Sequence, residues 1–177
     1  VRAQDLATAE ELYQSALEIN PHSMDASFGM GLLHTQVGDY SSAIKAFSTV
    51  LAQDPRHDKA LCGLGMVCHQ TGLKNDAMNY FIRSLNINIE NKTSLMFLLG
   101  LAYELNQFTV SEELLKKYLE LHPASLNIMF GVAGLQYKMN KLAESRDNLE
   151  KILIFEPNHK DAQQLLERVM EEVQIAV

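Results

Sequence analysis

Little in this sequence is equipped for covalent or redox chemistry. Only two of its 177 residues are cysteine, Cys62 and Cys68. A spacing of six along one helix aims their thiols apart, which excludes a structural disulfide between them. Such sparse use fits a reducing compartment, so a cytoplasmic home is favoured while the localisation stays open. Long apolar runs are also missing. The longest, Leu95 to Tyr103, is about half of the roughly 20 residues that a bilayer span needs, so no membrane span is expected. Basic residues are outnumbered 15 to 22 by acidic ones, for a net charge of -7, and they form no cluster. A phosphate backbone would be repelled, so nucleic acid is not an expected partner. The chain begins at Val1 with no basic-then-apolar leader, and a signal sequence is expected to be absent or already removed. The triplet Asn91-Lys92-Thr93 is a glycosylation sequon of a kind that arises by chance and matters only in a secreted eukaryotic protein.

Catalytic constellations are equally scarce. His69 follows Cys62 by seven residues, two helical turns, so both could face one side, yet a zinc site wants three or four ligands. No third residue is placed to orient a Cys-His nucleophile. His22, His57, His122 and His159 adjoin the prolines and read as solvated loop residues. Every glycine is accounted for by helix packing or helix termination, leaving none for a phosphate loop. No cofactor, no metal and no enzymatic activity are expected.

What is present is a repeat. The prolines stand at Pro21, Pro55, Pro123 and Pro157, separated by 34, 68 and 34 residues. Gly29, Gly31 and Gly38 return 34 residues later as Gly63, Gly65 and Gly72. Within a unit the pattern is two amphipathic helices. The first is stopped by Gly38; the second, with apolar Tyr40, Ala43, Ile44, Phe47, Val50 and Leu51, ends before Pro55. The next unit repeats Leu64, Gly65, Ala77 and Phe81, but Ile89 replaces its proline, which predicts a looser end. In the third, Leu99, Gly100 and Tyr103 come one residue late while Pro123 is back in phase. This predicts an extra residue near Lys92 and a shortened turn over 106–108.

These residues, Leu-Gly, Tyr, Ala, Phe and Pro over 34 positions, resemble the tetratricopeptide repeat, and the likeness covers nearly the whole chain. The resemblance implies an all-α fold, a right-handed α-solenoid of stacked antiparallel hairpins. It assigns 1–23 to the second helix of a truncated repeat, 24–57, 58–91, 92–125 and 126–159 to repeats, and 160–177 to a capping helix. Small residues at Gly31, Gly65, Gly100 and Ala133 are expected to let helices approach closely. Because the first unit lacks its partner helix, the chain reads as an excised fragment whose open N-terminal helix could support self-association.

The resemblance also implies a concave wall made by the first helix of each unit. By phase, that wall includes Phe28, Leu32 and Thr35, then Lys59, Cys62, Met66, His69 and Gln70. Allowing for the slip, it continues with Phe97, Leu101, Glu104 and Leu105, then Asn127, Phe130, Tyr137 and Lys138. The wall is largely apolar, which suits an apolar peptide or partner helix. The basic clamp of chaperone-binding relatives has no counterpart at Phe28, Leu32 and Gly63, nor the asparagine ladder of glycosylating relatives at Gly29, Gly63, Leu98 and Gly131. The expected function is a non-catalytic scaffold or adaptor for a protein or peptide. The alternative is the repeat segment of a larger enzyme, such as a glycosyltransferase, used for substrate docking or assembly.

Overall fold

Apolar residues recurring every three or four positions fold the described residues of this chain into successive helices. The structure, a computed structural model, describes residues 2–175 and, among side chains, those of residues 6–174. Val1, Ala176 and Val177, the tips of the two terminal segments, lie outside the described residues. Among the described residues there are ten α-helices and no strand. They are α1 (Arg2–Ile19), α2 (Met24–Val37), α3 (Tyr40–Gln53), α4 (Asp58–Gln70), α5 (Lys74–Ile87), α6 (Lys92–Leu105), α7 (Phe108–Leu121), α8 (Leu126–Lys138), α9 (Leu142–Phe155) and α10 (Lys160–Ile175). Connections this short make neighbouring helices antiparallel, with α2 packed on α3, α4 on α5 and α8 on α9. The chain divides into two compact units, one ending at Phe97 and the other starting at Leu98.

The turns keep the 34-residue phase without a break. The left-handed position between the helices of each pair is held by Gly38 (φ 83°), Gly72 (φ 78°), Asn106 (φ 55°) and Asn140 (φ 59°). Glycine adopts that conformation freely, and asparagine is among the few side chains that tolerate it. α6 and α7 accordingly begin at Lys92 and Phe108, 34 residues after Asp58 and Lys74, so the expected slip is not there. Leu95, Leu98, Leu101 and Ala102 are buried in phase with Leu61, Leu64, Val67 and Cys68. The displaced Leu99, Gly100 and Tyr103 were a likeness of letters only. Gly100 is exposed, and a Cβ there would meet nothing within 4 Å, so it is no point of close approach.

Side chains hold most of the turns between repeats. Asn20, Asp54 and Asn88, again 34 apart, accept from the backbone N–H two residues on, at 3.1, 2.9 and 3.1 Å. The turn at Ile89 is therefore as well formed as those with proline. Ser23 Oγ, His57 Nδ1, Asn91 Oδ1 and His159 Nδ1 accept from the N–H three residues on, at 3.3, 3.0, 3.1 and 3.2 Å. These are N-caps, which satisfy donors the helix cannot. Two of the histidines expected to be solvated are thus structural, and their rings stand 5.3 Å from Phe28 and Phe130 respectively.

The core of the first unit is built from coupled pairs. Phe47 and Phe81 are fully buried, and a Cβ at Gly31 or Gly65 would come within 2.5 or 2.7 Å of their rings. The glycine and the ring share one space. In the second unit the same phase carries Leu99 with Leu115, then Ala133 with Leu149, the last three of these residues buried. α10 lays Ala162, Leu165, Leu166, Val169 and Val173 against a core of Met129, Ala133, Leu149 and Ile152. Beside that core Glu112 is buried among charges. It accepts from Lys116 and Lys141, each at 2.6 Å, and from Gln136 at 3.0 Å. Burial pushes its carboxyl up, but the hydrogen bonds from Lys116, Lys141 and Gln136 outweigh that and hold it at about 2.

Candidate functional site

In the unit ending at Phe97, α2 and α4 each turn one side toward the core and leave another open. Along the open side of both helices runs a furrow made of two cavities. One, of about 330 Å³, is lined by Phe28, Leu32, Lys59, Cys62 and Met66 together with Asp58, Gly63, Asn88, Glu90, Asn91 and Thr93. The other, of about 620 Å³, is lined by Leu32, Thr35, Gln36, Tyr40, Phe47, Gly63, Met66 and Gln70. Both include Leu32, Gly63 and Met66, so the furrow is continuous. Leu32 is 43% exposed and Met66 half-buried, while Lys59 and Gln70 are exposed on its edges. Thr35 returns its hydroxyl to Gly31 O at 2.7 Å, so it offers the furrow mainly its methyl group.

The polar end of the furrow was not foreseen in the sequence. Asp58 Oδ2 accepts from Asn88 and Asn91, both at 3.0 Å, and Asn91 also donates to Ser84 Oγ at 3.1 Å. The one signal available was that the unit lacking a proline has Asn88 and Asn91 in that turn. Asn91 spends its amide on these bonds and its carbonyl on the cap, which leaves the sequon engaged in the fold. Cys62 is only 5% exposed. Burial pushes its thiol up, a hydrogen bond with Ser94 opposes the shift and the charge of Asp58 adds to it. Cys68 is raised by burial and by Asp76. Neither thiol is poised as a nucleophile, and both are free.

Other expected wall residues are placed differently. His69 sets its ring edge-on to Phe97 at 5.0 Å, and Phe97 stacks on the buried Phe81 at 4.9 Å. Phe97 is thus half core, in phase with Gly63 and not with Phe28. Leu101, 1% exposed, is core outright, because the slip that put it on the wall does not occur. The in-phase positions are Met96 and Tyr103, both exposed, along with Glu104, which is exposed too. In the second unit Phe130 and Tyr137 pack against the core that α10 covers, and the Tyr137 hydroxyl donates to Glu172. That bond pushes its phenol up. Asn127 and Lys138 are exposed and Leu105 half-buried. Among the described residues no group of three or more His, Cys, Asp or Glu could hold a metal ion, and no helix is long and apolar enough to cross a membrane.

The sequence model of the tetratricopeptide repeat family matches residues 28–85. A stretch of 56 residues is 43% identical to cellulose synthase operon protein C of Komagataeibacter xylinus. It amounts to 32% of this chain and 4% of that protein, so the chain spans a small fraction of the curated relative's length. Among solved structures, YrrB, described as a tetratricopeptide repeat protein with an unusual peptide-binding site, superposes with a TM-score of 0.78 at 19% identity. The superposition covers 93% of this chain and 85% of that one. PilF of Pseudomonas aeruginosa gives 0.70 at 17% identity, over 98% of this chain and 79% of that one. Likeness at these identities establishes the fold.

Proposed function

We propose that this chain, a member of the tetratricopeptide repeat family, is a non-catalytic scaffold that binds a peptide or partner helix along α2 and α4. The observation that carries the reading is the continuous furrow through Leu32, Gly63 and Met66. It is apolar in the middle, where side-chain burial supplies affinity, and polar at Asp58, Asn88 and Asn91, where hydrogen bonds can fix register. That a structure of the same fold is described as having a peptide-binding site supports it. Leu32→Asp and Met66→Asp alter exposed or half-exposed side chains, so both variants are expected to melt with the wild type. Panning of a random peptide display library should enrich apolar sequences on the wild type and lose about tenfold or more of that enrichment on either variant. Equal enrichment on folded variants rules the furrow out.

A second reading, a repeat segment serving a larger enzyme in docking or assembly, draws on the short stretch similar to cellulose synthase operon protein C. Finding a catalytic domain on the same polypeptide would favour it. Self-association is proposed as well. α1 exposes Leu12 and Ile19, the latter by 87%, and a second copy is one way to cover them. Light scattering on this chain at high concentration should give a mass above 19.9 kDa, and a monomer there counts against it.

A further inference from the structure

We propose a second docking site, the crevice between α7 and α9 in the unit from Leu98, which takes an aromatic side chain presented by a partner polypeptide. It is a cavity of about 520 Å³ with Leu119, Met129 and Val132 among its lining residues and Lys116, Lys151 and Phe155 among the others. Met129 and Val132 belong to the buried core, whereas Phe155 is 66% exposed, a large apolar group without cover.

The repeat itself shows what belongs there. Sixty-eight residues earlier, two repeat lengths, the same phase carries Leu51, Leu61 and Leu64 in place of Leu119, Met129 and Val132. In that unit Tyr80, with Leu51, packs against the core of α3 and α4 that includes Leu64. The residue in phase with Tyr80 is Asn148. Asn148 is too short to reproduce the ring, and its Nδ2 donates to Gln136 Oε1 at 2.8 Å. The cavity is thus lined by Asn148 at the position where the other unit packs the Tyr80 ring against its core.

Aromatic chemistry is specified by a second correspondence. Arg83 holds its guanidinium 5.5 Å over the Tyr80 ring, and the residue in phase with Arg83 is Lys151, which lines the open cavity. A guest ring there gains the apolar floor that Tyr80 has and a cation beside its face. Filling an apolar void also restores dispersion contacts that its lining lacks.

The test uses p-cresol, the side-chain group of tyrosine, titrated into the protein with its methionine methyls isotopically labelled for NMR. The Met129 methyl should shift saturably, at roughly millimolar p-cresol for so small a ligand. Asn148→Tyr, which fills the cavity from within, should abolish the shift, while Asn148→Ala, which leaves it open, should retain it. Lys151→Ala should weaken binding a few-fold. The aliphatic analogue 4-methylcyclohexanol should bind several-fold more weakly. Absence of a saturable Met129 shift, or an undiminished one in Asn148→Tyr, overturns the site; equal binding of the aliphatic analogue overturns its aromatic character. Leu32→Asp and Met66→Asp, which test the furrow on α2 and α4, should leave this titration unchanged.

Discussion

Gly65→Leu is expected to destabilise the unit ending at Phe97 by about 3 kcal/mol, and adding Phe81→Leu is expected to recover part of that loss. The Phe81 ring is fully buried, and a Cβ at Gly65 would already be 2.7 Å from it. A leucine therefore has no room unless the ring moves or the helices part. Phe81→Leu alone leaves a void and should cost about 1–2 kcal/mol. The next repeat has made both changes together, with Leu99 in phase with Gly65 and Leu115 in phase with Phe81. The double variant copies those two changes but not Gly131, against which Leu99 packs and which is in phase with Phe97. Urea denaturation of the four proteins should thus give a favourable coupling larger than the cost of Phe81→Leu itself, about 2 kcal/mol or more. Simple additivity of the two losses would show that the pair does not share one space.

Removing both lysines beside Glu112 should be nearly as severe. Lys116→Met with Lys141→Met is expected to cost about 3 kcal/mol or more, because it strips a buried carboxylate of its ionic partners. The same two substitutions made with Glu112→Met should cost far less. Met78, fully buried, holds the corresponding position one repeat earlier, so the architecture accepts an apolar residue there. A pH dependence follows from the carboxyl. Its folded-state value of about 2 lies below its ordinary 4.5, so the unfolded chain binds that proton more readily than the folded one. The stabilisation is complete above pH 4.5 and is lost as pH falls toward 2. It should amount to about 1–3 kcal/mol, discounted because Lys116 and Lys141 are themselves part-solvated. Urea melts at pH 6 and pH 2.5 should show a drop in the wild type that is reduced in Glu112→Met. An equal drop in both proteins would assign the pH dependence to other carboxylates.

Much of the candidate site was legible because phase alone says which side of a helix a residue occupies. Phe28, Leu32, Lys59, Cys62 and Met66 line a single cavity because spacings of three and four put them on one side of α2 and α4. Phase failed where letters imitated it. Leu99-Gly100 looks like Leu64-Gly65, but Asn106 in the left-handed conformation terminates α6 where a glycine would have, and no residue is gained or lost. Asp58, Asn88 and Asn91 escaped notice because the hydrogen bonds joining them link residues 30 and 33 apart, a relation that no local pattern records.

The sequence by itself determined the repeat, its helical pairs and their period, since these follow from proline, glycine and apolar spacing acting within a few turns of chain. Tertiary structure decided which of the outward-facing residues are open. Phe97 rests on Phe81, Tyr137 is tied to Glu172 on α10, and a cavity stays open beside Val132 and Asn148. Those outcomes depend on the size and reach of side chains brought together from different helices, and the packing of neighbours fixes them where periodicity cannot.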